Sequence, residues 1–429
     1  MSDRWDREHV LGLAPDAASA KAGGKVAEPA KWGDAGCDGE AVWGECQGSG
    51  KSAYRACAEL AEPAFRCSCP SRKFPCKHVL GLLLLWSDGA VGAGARPEWV
   101  REWLEQRRQR AEKAQEKKAV TAAKVKDPKT AEARERQVAA GVADLDQWLR
   151  DQVAHGLAQA EKAPYRLWDD AARRLVDAKA GALAGQVRSL AAVPRQPGWP
   201  GRLLEEYALL RLLVTAYGRD DLPGPLRETV RARIGFTQGQ DEVLAEGQRV
   251  RDRWCVIGSR DTAQDQLTTR RVWLRARSGR PALVLSFGAP GRPLDASLVV
   301  GTELDAELAF YPGAQPLRAL VAERYGQAVP GVPDGTSVQG FLDEHAAAVA
   351  ADPWLDRLPA VLEQVRLARD EQGLWAVDGD EQSLPLRLAD PWRLLAVSGG
   401  QPVTLAGEWT RQGLRALAAW HADEGAVIL

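Results

Sequence analysis

The sequence has few of the residues and patterns that mark a specialised class of protein. Its 429 residues include only seven cysteines and one methionine, and neither charge sign dominates, because 57 Lys and Arg balance 58 Asp and Glu. The net charge of −1 excludes a uniformly basic nucleic-acid coat, and the hydrophobic content of 45% excludes a disordered chain. Glycine does not recur at every third position, which excludes collagen.

The sequence also lacks a long hydrophobic run. Its longest apolar run, 79–86, is far shorter than the roughly 18 residues that a membrane-spanning helix needs, so we expect no membrane span. The first residues are charged and include no apolar stretch of signal-peptide length, which predicts a cytoplasmic protein. In a reducing cytosol, clustered cysteines are more often metal ligands than disulfide partners.

The near-zero net charge conceals an uneven distribution along the chain. Residues 1–50 have a net charge of −4, residues 51–136 carry 19 basic and 11 acidic side chains, which gives +8, and the remainder has −5. Within the basic stretch, almost no large apolar residue follows Leu104. We therefore predict a charged helical linker over 96–135, with a solvated helix and then a linker near Asp127.

Apolar periodicity divides the rest of the chain into two regions. From about 132 to 217, apolar residues recur every three or four positions, which predicts a small antiparallel helical bundle over 136–245. The first of these stripes contains Val138, Val142, Leu145 and Leu149. From 246 to 429, short apolar or alternating segments are bounded by Gly, Pro and Asp, as strands are. Helical signals interrupt these strands at 316–325 and 338–362.

The most informative segment contains three cysteines and one histidine within twelve residues. Cys67 and Cys69 are followed, after six residues, by Cys76 and His78. Three thiolates and one imidazole are a complete tetrahedral ligand set for Zn²⁺. Alternate strand residues point to the same side, so Cys67 and Cys69 suit a strand end, whereas Cys76 and His78 suit a turn that enters a helix. Since four protein ligands leave no position for a catalytic water, we predict one structural zinc ion.

These residues resemble the SWIM-type zinc finger, whose pattern is Cys-x-Cys, a variable spacer and Cys-x-His. All four ligand positions match, and so do the strand-like segment 54–60 before them and the apolar helix after them. The resemblance covers about residues 40–90. It implies a zinc-binding module that contacts DNA or proteins. For the bacterial group of such proteins, it also implies an association with MoxR-type ATPases and proteins with von Willebrand A domains.

The expected fold class is multidomain α+β. An N-terminal region over 1–95 holds a small zinc-stabilised ββα-like finger with its core at about 54–88. The helical linker and the bundle follow, and a mixed α+β domain over 246–429 completes the chain. The strand-rich stretches on either side of residue 350 are candidates for distant duplicates.

The helix that follows the cluster has no polar face over 79–86. A helix that is apolar all round must be buried on every side, and a finger of about 40 residues is too small to bury it alone. We therefore predict that it packs against another part of the chain, such as the helix of Trp99 and Trp103, or against a protein partner.

The other cysteines do not complete a second metal site in the sequence. Cys37, Cys46 and Cys57 have no spare histidine nearby, and we interpret them as buried thiols. Cys255 lies in a predicted strand and is expected in the core. No combination of nucleophile, base and acid indicates catalysis, so we expect no enzyme and no small-molecule substrate.

Two functions compete. The first is a non-enzymatic interaction protein whose zinc finger binds a protein partner, which the apolar helix, the 16 tryptophans and the acidic remainder favour. The alternative is a DNA- or RNA-binding protein that uses the basic 51–136 region. Its phosphate contacts would come from Arg55, Arg66, Arg72, Lys73 and Lys77. We favour the protein partner.

Overall fold

The computed structural model has three parts, namely an N-terminal sheet with helices, a helical bundle and two consecutive β-barrels. It describes residues 5, 7–14, 17–47, 52–60, 64–71, 75–109, 128–264, 267–289, 294–388, 390–421 and 425–429. Within these ranges, no helix combines the length and the apolar character that crossing a membrane requires. The predicted multidomain α+β class is confirmed.

A four-stranded antiparallel sheet organises the N-terminal region. In chain order the elements are α1 (Arg7–Gly12), α2 (Ala17–Val26), β1 (Trp32–Cys37), β2 (Ala41–Cys46), β3 (Tyr54–Glu59), β4 (Ala64–Cys67), α3 (Lys77–Ser87) and α4 (98–109). The strands pair in chain order. The predicted ββα unit is present as β3, β4 and α3, but β1 and β2 extend its sheet to four strands.

Helix α3 is buried on all sides. Every residue from His78 to Trp86 is buried. The helix packs against α1, α2 and one face of the sheet, and Val299 from the first barrel joins the same cluster. The prediction that this apolar helix packs within the chain is therefore confirmed.

Helix α4 covers the opposite face of the sheet. Val100 and Leu104 are buried there, and Trp99 and Trp103 pack beside them against Trp43. The prediction of contact between its tryptophans and α3 is wrong, because the sheet has two apolar faces and α4 covers the second. The predicted solvated helix is correct for the outer side of α4, where Glu98, Arg101 and Glu105 are exposed. The predicted linker near position 127 lies outside the described residues.

Five helices form the bundle, and a sixth leads to the first barrel. They are α5 (Pro128–His155), α6 (Arg166–Asp177), α7 (Gly181–Ser189), α8 (Trp199–Tyr217), α9 (Gly224–Ile234) and α10 (Gln240–Glu246). Short 3-10 helices are Pro29–Lys31, Leu157–Glu161 and Leu190–Arg195. The predicted apolar face from Val138 to Leu149 packs against Trp168, Leu203 and Leu213 in one core. The helices therefore pack as a bundle through these apolar faces.

The first barrel is closed. Its strands are β5 (Gln248–Gln264), β6 (Leu267–Ala276), β7 (Pro281–Gly288), β8 (Thr302–Phe310) and β9 (Arg318–Pro330), in the order β5-β6-β7-β9-β8. The predicted helix at 316–325 is wrong, because residues 318–325 belong to β9. Leu320 pairs with Ala309 of β8, and this non-local ladder overrides the local helical pattern.

The second barrel follows one helix. Its elements are α11 (Val338–Ala351), β10 (Leu358–Arg369), β11 (Leu374–Val377), β12 (Ser383–Arg387), α12 (Pro391–Ser398), β13 (Val403–Thr410), β14 (Gly413–His421) and β15 (Gly425–Ile428). A parallel pairing of β12 with β14 closes β10 to β14 into a ring. The helix predicted over 338–362 ends at Ala351, because Pro353 disfavours helical backbone at Asp352.

The two barrels share one topology. Numbered within each barrel, the strand order is 1-2-3-5-4, with strands 3 and 5 parallel. In the second barrel, α12 lies in the connection between strands 3 and 4. Five strands in this Greek-key order are the arrangement of the OB barrel. The two stretches considered as duplicates thus have the same strand order.

Buried contacts join the bundle and the barrels. Trp420 Nε1 of the second barrel donates a 2.9 Å hydrogen bond to the carbonyl oxygen of Gly331. Trp354 Nε1 donates a 2.9 Å hydrogen bond to the carbonyl oxygen of Leu209 in α8. The first contact joins the two barrels, and the second holds the bundle beside the second barrel. A cleft lies between the bundle and the barrels.

Candidate metal centre

The end of one strand and the start of one helix position the four predicted ligands. Cys67 is the last residue of β4, and Cys69 lies two residues beyond it. Cys76 is the N-cap of α3, with an extended backbone at φ −77° and ψ 166°, and His78 lies in the first turn. The carbonyl oxygen of Cys76 accepts a 3.0 Å hydrogen bond from the Leu80 amide, which starts the helix. These placements agree with the predicted strand end and helix entry.

The four side chains converge on one point. One ligand atom from each of Cys67, Cys69, Cys76 and His78 lies within 4.8 Å of the other three. The distance to His78 Nδ1 is 3.7 Å from Cys67 Sγ and 4.0 Å from Cys76 Sγ. Zinc bonds of about 2.3 Å to sulfur and 2.0–2.1 Å to nitrogen place the corners of a tetrahedron about 3.6–3.8 Å apart. The donor set and its spacing therefore fit zinc.

The local field favours a thiolate at the helix entry. A hydrogen bond from Cys67 lowers the pKa of Cys76 to about 4, with help from His78 and the Val79 amide, although burial opposes the shift. The same hydrogen bond and burial raise the pKa of Cys67. A cluster of thiols that shares protons in this way releases them when a divalent cation binds.

An aromatic ring supports the histidine ligand. The ring of Tyr54, at the start of β3, stacks on His78 with 4.8 Å between centroids and 30° between planes. His78 and Cys76 are buried, whereas Cys67 and Cys69 are half-buried. Tyr54 was not predicted as part of the site, and its one signal in the sequence was its place at the head of the strand-like segment 54–60.

Of the five basic residues proposed for nucleic acid, the three that the structure describes do not lie on one face of the sheet. Arg72 and Lys73 lie outside the described residues. Arg55 and Arg66 lie on the face of the sheet that α4 covers, since Arg66 pairs with Cys57 on that face. Lys77 is exposed at the start of α3, on the metal side.

The face that carries Arg55 is opposite to the metal. Cys67 pairs with Ala56, which belongs to the cluster around α3, and successive residues of a strand alternate between faces. Arg55 lies 5.9 Å from the ring centroid of Trp99 and forms a 2.9 Å ion pair with Glu45. Its charge is therefore already compensated within the chain.

A groove of about 640 Å³ adjoins the metal centre. Ala18, Ala22 and Val26 of α2 form one wall. The opposite wall contains Tyr54, Cys69, Pro70, Ser71 and His78. The charged side chains among its described lining residues are Lys31, which forms a 3.0 Å ion pair with Glu28, and Lys77. The described lining contains no carboxylate.

The remaining cysteines are buried thiols, as interpreted from the sequence. No other group of three or more His, Cys, Asp or Glu side chains in the described ranges is placed to hold a metal ion. Cys37 Sγ donates a hydrogen bond to the carbonyl oxygen of Gly92 at 3.4 Å. Burial raises the pKa of Cys57 to about 12. Cys255 is buried in β5.

Two parts of the chain match known families. Residues 66–86 match the SWIM zinc finger, and residues 133–234 match the SWIM-associated four-helix bundle domain. No curated protein and no solved structure matches the chain. The resemblance that the cysteine and histidine pattern indicated is thereby confirmed, and zinc binding is supported by both the family match and the geometry.

Proposed function

We propose that this SWIM-type zinc finger protein is a cytoplasmic, non-enzymatic interaction protein that holds one structural zinc ion. The closed set of four ligands carries the proposal, because three thiolates and one imidazole complete a tetrahedron and leave no position for a reacting water. The seven cysteines are free, which suits a reducing compartment.

The ion would act as a cross-link between β4 and α3. Cys67 and Cys69 follow the strand, and Cys76 and His78 begin the helix, so one ion fixes the turn that joins them. This turn also forms part of the groove beside α2. Zinc would therefore maintain a binding surface without contacting the bound partner.

We propose that a protein with an acidic, partly apolar segment binds in this groove. Lys77 offers positive charge, and the wall of α2 offers small apolar side chains. The apolar helix α3 does not itself require a partner, since α1, α2 and the sheet cover it. MoxR-type ATPases and von Willebrand A proteins, which the SWIM resemblance suggested, are the first partners to test.

Affinity purification of the full chain from its native cell, with and without nuclease treatment, tests this proposal. The matched variants are Lys77→Glu, in the groove, and Lys162→Glu, on an exposed turn of the bundle. We expect a protein that is captured despite nuclease and lost only with Lys77→Glu, while both variants keep their zinc. Captured protein that disappears after nuclease treatment, together with binding of nucleic acid that weakens steeply with salt, would support the nucleic-acid alternative instead.

A further inference from the structure

A cleft rich in arginine lies where the bundle meets the two barrels. Its volume is about 590 Å³, and the described residues that line it include eight arginines and three carboxylates. Arg202 comes from α8, Arg271 from the first barrel and Arg415 from the second. One of the eight, Arg233, forms a 2.9 Å ion pair with Asp352 outside the lining, so an excess of four positive charges remains, in a chain whose net charge is −1.

Two of the three carboxylates each form a close ion pair with one arginine. Glu206 forms a 2.9 Å ion pair with Arg411, and Asp356 forms a 2.6 Å ion pair with Arg357. Such pairs leave no charge to compensate the remaining arginines.

The third carboxylate, Glu408, lies near three arginines, of which Arg357 is nearest, with its Nη1 3.5 Å from Oε1. Its Oε2 accepts a 3.0 Å hydrogen bond from Trp273. Arg260 and Arg271 approach it only to 4.0 and 3.9 Å, which is beyond hydrogen-bond distance. One buried carboxylate thus balances only part of the positive charge around it.

The arginines retain unused hydrogen-bond donors. Nε of Arg202 and Nε of Arg271 are buried and have no hydrogen-bond partner in the described structure. Burial lowers the pKa of Arg271, and so does the charge of Arg357. Burial also lowers the pKa of Arg415, and the positive charge of Arg260 lowers it further. An anion bound between these side chains would compensate the cost of burying the arginine charges and would offset the repulsion between them.

A second cavity of about 470 Å³ continues from the cleft. It shares Arg271 and Arg357 with the cleft, and aromatic rings of Phe236, Trp273 and Tyr311 contribute to its walls. The hydroxyl of Tyr311 is buried without a hydrogen-bond partner among the described residues. This cavity suits a flat ring with a polar edge.

We propose that the arginine cleft binds a nucleotide with two or more phosphate groups. The phosphates contact Arg202, Arg271 and Arg415, whose guanidinium groups match phosphate oxygens in geometry and charge. The base lies in the second cavity, beside Phe236 and Tyr311. The site shares no residue with the metal centre and does not depend on the function proposed for the finger.

The barrel topology supports this location. The cleft includes residues 411–412, between strands 4 and 5 of the second barrel, and the second cavity includes residues 311–317, the same connection in the first barrel. In OB barrels, this loop and the face of strands 2 and 3 line the ligand site.

A small ligand fits better than a nucleic-acid strand. Several arginines of the first barrel outside the cleft are ion-paired, such as Arg249 with Glu307 at 2.6 Å and Arg251 with Asp305 at 2.9 Å. A strand of nucleic acid would need a track of free cations beyond the cleft. The cleft alone has the volume of a site for a small molecule.

Isothermal titration calorimetry on the full, zinc-loaded chain tests the proposal. The probes are ATP, GTP, inorganic tripolyphosphate, adenosine and a single-stranded DNA 12-mer. We expect one triphosphate site per chain, tripolyphosphate binding about tenfold weaker, and no measurable binding of adenosine. If neither nucleotide binds, or if only the DNA 12-mer does, the proposal is overturned. Equal affinity for tripolyphosphate and both nucleotides would overturn the assignment of the base to the second cavity.

Matched variants connect the binding to these arginines. Arg271→Gln and Arg415→Gln should each weaken nucleotide binding by about tenfold or more, whereas Arg366→Gln, an exposed arginine on β10, should leave it unchanged. Arg415→Gln removes a repelled charge, so without nucleotide it should unfold at no lower temperature than the parent. Unchanged nucleotide affinity in both cleft variants would overturn the proposal.

Discussion

Trp273 of the first barrel donates a 3.0 Å hydrogen bond from Nε1 to Oε2 of Glu408 in the second barrel. Both side chains are buried. Oε1 of the same carboxylate lies 3.5 Å from Nη1 of Arg357. Glu408 therefore joins the barrels and also contributes the buried negative charge of the arginine cleft.

Replacing Glu408 by Ala should destabilise the barrels by about 2–4 kcal/mol, because the indole N–H and the nearby arginines lose their buried acceptor. Urea denaturation measures this change. Glu381→Ala is the control, since Glu381 is exposed and pairs with Arg366 on the surface, so its loss should cost at most about 1 kcal/mol. Equal losses in the free energy of unfolding would show that Glu408 contributes no more to stability than an exposed carboxylate does.

Substituting a metal ligand should remove zinc from the protein. Cys67→Ser should lower the zinc content, measured by native mass spectrometry, from one ion per chain to nearly none, and the finger should become sensitive to protease. Cys57→Ala is the matched control, because Cys57 is buried on the opposite face of the sheet and should leave one ion bound. Full zinc content in the Cys67 variant would refute the ligand assignment.

Alkaline pH should destabilise the first barrel through Cys255. Burial, reinforced by Glu303, raises the pKa of this thiol from 9.0 to about 12 in the folded chain. Between pH 9 and 12 the unfolded chain has lost the proton that the folded chain keeps, so stability falls as pH rises, by about 1.4 kcal/mol per pH unit.

The comparison of Cys255→Ala with the parent isolates this titration. The variant should lose less stability between pH 9 and 12, measured by urea denaturation at each pH, whereas the difference between the two proteins should stay constant below pH 8. Parallel curves for the two proteins above pH 9 would contradict a raised thiol pKa.

Two adjacent glycines of α2 should respond oppositely to alanine. A Cβ at Gly23 would lie 2.7 Å from Cβ of Leu80 in α3, so Gly23→Ala must push the helices apart and should cost about 1–3 kcal/mol. Gly24 has no atom within 4 Å of its Cβ position, and Gly24→Ala should stabilise the helix by about 0.5–1 kcal/mol. Thermal unfolding of both variants checks the prediction, and a stabilised Gly23→Ala variant would contradict the close helix approach.

The metal ligands were predictable because their geometry is local. Cys67 to His78 span twelve residues, and the alternation of a strand with the entry of a helix is sufficient to bring four donor atoms together. The apolar helix that follows was predictable as buried for a similar reason, since its composition leaves no polar face. Which elements would cover it was not, because that depends on how α1, α2 and the sheet pack.

Errors in the predicted elements arose from non-local pairing. Residues 316–325 have a helical pattern, yet those from 318 onward pair with β8 and β7 as part of a closed barrel. The charged segment around Trp99 looked solvated, yet its two tryptophans complete the second face of the sheet. Local patterns describe what a segment favours in isolation, and a ladder or an apolar face from elsewhere in the chain overrides them.

By itself, the sequence determined the zinc ligands, the helical character of the bundle and the burial of α3, because each depends on spacing or composition within a few turns of chain. Only the tertiary structure decided where charge accumulates. Arg55 and Arg66 lie on one face of the finger sheet and Lys77 lies on the metal side, while arginines as distant as Arg202 and Arg415 meet in one cleft. Electrostatic energy depends on distance and burial in space, and both are set only when the bundle and the barrels pack together.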